Sequence, residues 1–160
     1  MGSSERGALT PHIYVDADAC PVKDEVFRVA KRYQLRVTLV AGSWMRIPNE
    51  ANLSLEVVDR GFDAADDWIA ARAGRDDIVI TADIPLAARC LERGATVLGT
   101  TGQPFTESNI GDALATRNLL AEMRGAGLDS GGPPPFEARD RSRFLQALDR
   151  AVHALRRAAQ

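Results

Sequence analysis

The feature that most restricts the fold of this chain is a repeated change of hydrophobic period. Short apolar runs rich in β-branched residues alternate with stretches whose apolar residues recur at helical spacing. Residues 12–15, 36–41, 54–58, 78–81 and 96–98 read as strands. Residues 22–33, 63–72, 85–93 and 110–124 read as helices, the first opened by Pro21, the third closed by Gly94 and the fourth by Gly125 and Gly127. Only residues 42–52, with Pro48 and two asparagines, connect two strands irregularly.

Strands separated by helical crossovers return the chain to the same edge each time. The pattern therefore predicts a mostly parallel sheet covered by helices on both faces, a three-layer α/β fold with functional groups at the carboxyl ends of the strands. At 160 residues the chain can bury about 70% of its unfolded surface without disulfides or structural metal. Residues 1–11 read as a flexible N-terminus, 12–124 as the α/β domain and 125–136 as a Gly/Pro strap. Residues 137–160 read as an Arg-rich amphipathic helix whose Phe144, Leu148, Val152 and Leu155 dock on the core.

Charge is divided unevenly. Residues 137–160 hold six arginines against three acids, so the remainder of a chain with net charge −2 stands at −5. Cys20 and Cys90 have no C-x-x-C partner, and His12 and His153 lie near opposite ends, so zinc-site spacing is absent. No apolar run reaches the about 18 residues of a membrane span, and no secretory leader is visible; the expectation is a cytoplasmic protein without a membrane partner.

The acids follow the strands. Asp16 and Asp18 come after the first, Asp59 after the third and Asp83 after the fourth, while Asp63, Asp66 and Asp67 open the second helix. Spacings of three and four put Asp63 on one helical face with Asp66 or Asp67. Two carboxylates 4 Å apart repel by about 4 kcal/mol at an effective dielectric of 20, so a cluster must protonate or bind a cation. Oxygen donors without His or Cys point to Mg²⁺ or Mn²⁺, the metals of phosphodiester hydrolysis. The competing structural reading is helix capping by Asp63 and Asp83, since Asp is a favoured N-cap.

The runs VDADACP at 15–21, GFDAAD at 61–66 and ITADIPLA at 80–87, with Asn109-Ile110, Leu114 and Arg117 beyond them, resemble the YaiI/YqxD family of bacterial proteins, known by domain of unknown function 188. The resemblance implies a PIN-like fold, related to the PIN and NYN nuclease domains. In those relatives an Asp ending the first strand, acids at the start of a central helix and an Asp in a T-x-D turn bind metal. Carried over, these roles fall on Asp16, on Asp63 and Asp66, and on Asp83 with Thr81 beside it. Asp67 departs from that pattern and reads as a solvated helix residue.

The expected activity is therefore that of a Mg²⁺- or Mn²⁺-dependent ribonuclease or related phosphodiesterase, with Asp16, Asp63, Asp66 and Asp83 catalytic and Asp18 either a further ligand or a cap of the first helix. Thr81, Arg46, Arg117 and Asn109 are the substrate-binding candidates, arginine being suited to phosphate. Two other classes compete. A non-catalytic RNA- or ribosome-associated protein would use the basic C-terminal segment. An Asp-nucleophile phosphatase would use Asp16-x-Asp18, but that chemistry expects a distal catalytic Lys, and no lysine follows Lys31. Cys20 reads as a packed or metal-site-shaping thiol in preference to a nucleophile, and Trp44 and Trp68 as core or base-stacking residues, with core packing favoured for Trp68.

Overall fold

A computed structural model describes residues 11–59, 61, 63–128 and 135–159. The expectations for the N-terminus, residues 1–10, and for residues 129–134 of the strap lie outside the described residues.

Among the described residues six strands form one sheet: β1 (Ile13–Asp16), β2 (Val37–Ala41), β3 (Leu53–Val57), β4 (Ile78–Ile80), β5 (Thr96–Leu98) and β6 (Pro104–Phe105). Their order is β3-β2-β1-β4-β5-β6, with every neighbouring pair parallel except β5 and β6. The chain winds outward from β1 to β3, then crosses back to place β4 on the other side of β1. That crossing makes the β1/β4 junction a topological switch point, where the connections leave in opposite directions and open a crevice at the strands' carboxyl ends.

Among the described residues there are five α-helices: α1 (Lys23–Tyr33), α2 (Ala64–Arg72), α3 (Ile84–Glu92), α4 (Ile110–Gly125) and α5 (Ala138–Ala158). The pleat divides the core in two. Ile13, Val15, Leu39, Ile78 and Ile80 join Val26 and Val29 of α1 and Phe144, Leu148 and Val152 of α5. Tyr14, Val40, Val79 and Val97 point the other way, to Ile69 of α2 and Leu86, Ala87 and Cys90 of α3. Central strands buried on both faces explain the continuous apolar runs in the sequence. None of the described helices is long and apolar enough to cross a membrane.

Helix α5 lies beside α1 in the same direction. Arg141 donates to the Pro21 carbonyl at 2.6 Å near the start of α1, and Arg156 donates to the Tyr33 carbonyl at 2.7 Å at its end. Its N-terminus is closed by reciprocal hydrogen bonds between Glu137 and Asp140. The buried face carries Phe144, Leu148 and Val152 as the spacing predicted, and adds Ala147, with Leu155 partly buried.

Strand β6 was not foreseen, because two residues beginning with proline carry no period. Pro104 sits where proline is tolerated, at a sheet edge. The turn before it contains Gly102 at φ 87°, and a Cβ there would stand 2.7 Å from the Arg143 carbonyl oxygen. Glycine is therefore required twice over: for the backbone angle, and for the close approach of this turn to α5.

Candidate functional site

The carboxyl ends of β1, β2 and β4 open into a cleft of about 620 Å³, whose lining includes Asp16, Asp18, Asp59, Asp63, Asp66 and Asp83. Each acid arrives by a different local route. Asp16 is the last residue of β1 and half-buried. Its Oδ2 accepts the Thr81 hydroxyl at 2.9 Å, and the same Thr81 oxygen accepts the Asp83 backbone N–H at 2.9 Å. Thr81 is only 1% exposed, so this one hydroxyl ties the end of β1 to the turn after β4 from within the protein.

Asp83 is the cap that the sequence suggested: its Oδ1 accepts the Leu86 N–H at 3.0 Å, with Pro85 in the first turn of α3. Capping occupies one carboxylate oxygen and leaves Asp83 among the cleft-lining residues. Asp63 occupies the corresponding place before α2 but makes no side-chain cap hydrogen bond, and its φ is 65°. A non-glycine residue in the left-handed region is uncommon, though Asp is one of the types that tolerate it. Asp18 lies in a short 3-10 turn, Ala17–Ala19, and its carboxylate accepts the Gly42 N–H at 3.0 and 3.2 Å.

Asp66 has the most perturbed electrostatics. Burial, then the charges of Asp83, Asp16 and Asp63, and a hydrogen bond with Asp83 push its pKa up to about 7. Asp16 is also raised, by burial first and then by Asp83 and Asp18, against the lowering effect of the Thr81 hydrogen bond. Like charges facing one another across a partly desolvated space have this effect. Among the described residues, no three His, Cys, Asp or Glu side chains stand as a preformed metal-ligand group. The acids line a common cleft without converging on a point.

The remaining sequence candidates are distributed more widely. Arg46 is exposed on the segment after the cleft residues Gly42 and Ser43. Arg117 lies on α4, in a separate groove of about 470 Å³ with Ile84, Phe105 and Asn109. Asn109 has local work: its Oδ1 accepts the Thr106 N–H at 2.8 Å and its amide donates to the Pro104 carbonyl at 3.0 Å. The structure thus places neither Arg117 nor Asn109 in the acidic cleft. Asp67 is exposed and paired with Arg89 at 2.7 Å. Asp59 lines the cleft and is the addition to the candidate set; its position just beyond β3 was the available signal. Cys20 is buried and its thiol is pushed up by burial, the opposite of an activated nucleophile.

Comparison with known proteins agrees with the motifs. The family described as "Uncharacterized BCR, YaiI/YqxD family", domain of unknown function 188, matches residues 14–154. The chain is 56% identical to a UPF0178 protein of Nitrobacter winogradskyi, over 91% of this chain and 93% of the relative. It is 57% identical to one of Rhodopseudomonas palustris, over 95% and 97% of the two chains. A Paramagnetospirillum magneticum UPF0178 protein is 56% identical over 91% and 96%. No solved structure matches the chain. With nearly the whole sequence covered in each comparison, the chain belongs to the YaiI/YqxD family.

Proposed function

We propose that this protein is a Mg²⁺- or Mn²⁺-dependent phosphodiesterase acting on RNA. The supporting observation is the cleft that Asp16, Asp63, Asp66 and Asp83 line together at the β1/β4 switch point, where burial first and then the acidic neighbours push the pKa of Asp66 up to about 7. The donor set suits a hard cation: the lining contains carboxylates, Ser43 and backbone groups, and neither imidazole nor thiolate. Lack of a preformed three-ligand group is compatible with Mg²⁺, which commonly takes one or two carboxylates and keeps several waters.

One or two of Asp16, Asp63, Asp66 and Asp83 would hold the ion directly and the others through its waters, with Asp18 at the margin of the site. A bound divalent ion supplies charge neutralisation for a phosphodiester and lowers the pKa of a water. Thr81 positions Asp16 and, through its contact with the Asp83 backbone, sets the distance between the two acids. The PIN-like ancestry implied by the motifs supports the same assignment. Incubating the protein with a mixed RNA panel in Mn²⁺, with Asp83→Asn as control, tests the reading. Cleavage by wild type alone supports it, whereas cleavage by both proteins or by neither overturns it.

A second reading, RNA binding without cleavage, is favoured by a different observation. Arg143, Arg150 and Arg157 recur every seven residues on the exposed side of α5, and none has a hydrogen-bond or ion-pair partner among the described residues. Such a stripe suits phosphate contact without any metal. RNA affinity that persists in EDTA, with no cleavage in Mn²⁺, selects this alternative.

A further inference from the structure

Trp44 exposes 74% of its surface. Tryptophan is highly buried on average, so its display calls for a cause. A loose loop is not the cause. Met45 and Ile47, its neighbours in the chain, pack against the larger core cluster. From Ser43 to Pro48 the residues alternate between part-buried and exposed, with Met45 and Ile47 turned inward and Trp44, Arg46 and Pro48 turned outward. Alternation of this kind belongs to extended backbone, in which side chains two residues apart stand on one side about 6.6 Å from each other.

Both ends of the segment are held. Gly42 donates to the Asp18 carboxylate, and Asn52 donates to the Leu35 carbonyl at 2.9 Å. Gly42 and Ser43 are themselves walls of the acidic cleft, so Trp44 follows directly on its rim, with Arg46 two residues farther along in a separate shallow groove beside Ile47, Pro48 and Asn49. Among the described residues Arg46 has no hydrogen-bond or ion-pair partner. Trp68 shows the contrast: the Arg72 guanidinium lies 3.8 Å from its ring centroid, and its ring meets Tyr14 edge-on at 6.1 Å.

We propose that Trp44 and Arg46 form a one-nucleotide subsite for a single-stranded polynucleotide, the unpaired base stacking on the indole and its phosphate meeting the guanidinium. The inference deepens the phosphodiesterase reading and rests on it for the path of the strand, which runs from this rim into the cleft. A flat indole accepts any base, since every base has a π-face, but a duplex offers free faces only at its ends. The pair therefore selects strandedness more than sequence.

The test is anisotropy of a short fluorescein-labelled single-stranded RNA, and of its duplex, in EDTA, with Mn²⁺ cleavage assayed in parallel. Trp44→Ala weakens single-strand binding about tenfold or more, the scale of a lost base stack, while Trp44→Phe keeps most of it. Arg46→Ala weakens binding and lowers the salt slope by about one phosphate contact. Duplex affinity is the same for wild type and Trp44→Ala. If wild type cleaves the single strand and Trp44→Ala binds it equally well, the subsite is wrong and the phosphodiesterase reading survives; if wild type binds it without cleaving it and Trp44→Ala binds it equally well, both are wrong. If wild type neither binds nor cleaves either RNA, both fall.

Discussion

The Thr81 hydroxyl donates to Asp16 across 65 residues of sequence while receiving the backbone N–H of Asp83. Removing it leaves a half-buried carboxylate and a backbone donor without that partner. Thr81→Val, nearly isosteric, should lower unfolding free energy by about 1–3 kcal/mol, the cost of unsatisfied buried polar groups. Thr81→Ser should recover most of the loss. Urea denaturation of the three proteins measures this.

Asp66 gives the cleft a pH signature. Its folded pKa of about 7 exceeds the unfolded value near 3.8, so between those limits the folded state holds more protons. Stability from this group is fully present below the unfolded value and is lost as pH rises through 7. Asp66→Asn should therefore gain on wild type progressively from pH 4 to pH 7 and then hold a constant advantage. Solvent access moderates the size of the effect, but the sign is read directly from thermal melts across pH.

His12 works in the opposite sense. Burial first, and Arg36 second, lower its pKa to about 4, and the ring hydrogen-bonds Thr38 at 2.8 Å and stacks on Tyr14. Between pH 4 and 6.5 the unfolded chain holds the extra proton, so stability attributable to His12 declines as pH falls through that window. His12→Asn should flatten the acid limb of the stability profile while leaving the Asp66 limb in place.

Cation binding should stabilise the folded chain. Mn²⁺ at about a hundred times its dissociation constant adds about 2.7 kcal/mol, seen as a raised melting midpoint. Asp16→Asn and Asp83→Asn should abolish that rise without loss of basal stability. Asn can still accept from Thr81 at position 16, and it remains a good N-cap at position 83. A wild-type midpoint unmoved by Mn²⁺ and Mg²⁺ would remove the cation from the proposed function.

Gly102→Ala should cost about 1–3 kcal/mol, the scale of backbone strain at positive φ. The obstruction is the Arg143 backbone, which cannot swing away as a flexible side chain would. A denaturation midpoint within error of wild type would show that the β5–β6 turn can retreat from α5.

The architecture was readable because parallel strands buried on both faces leave uninterrupted β-branched runs such as Ile78–Ile80. Boundaries shifted by a residue or two, as at Ile110–Gly125 and Ala138–Ala158. The apolar residues of α4 were less informative: Leu119 and Leu120 are exposed, and the helix buries none of its residues. Asp63 and Asp83 show the limit at the cleft. Both precede helices, yet only Asp83 uses its side chain as a cap, since that depends on a backbone angle that residue type does not specify. Arg46 and Arg117 looked equivalent in sequence and lie on different surfaces, because Arg46 is on the β2–β3 connection that leaves the cleft wall while Arg117 is on α4, which packs beside α3 and lines another groove.

The β1/β4 junction also has a consequence for biosynthesis. Asp16 emerges from the ribosome early, but its neighbours across the cleft wait for the chain to pass Asp83 and for β4 to insert beside β1. A nascent or truncated chain ending before Ile78 lacks β4 and Asp83, and with them the assembled acidic cleft. If the proposed activity is hydrolysis of RNA, long-range closure of the sheet delays the catalytic arrangement until this part of the chain has cleared synthesis.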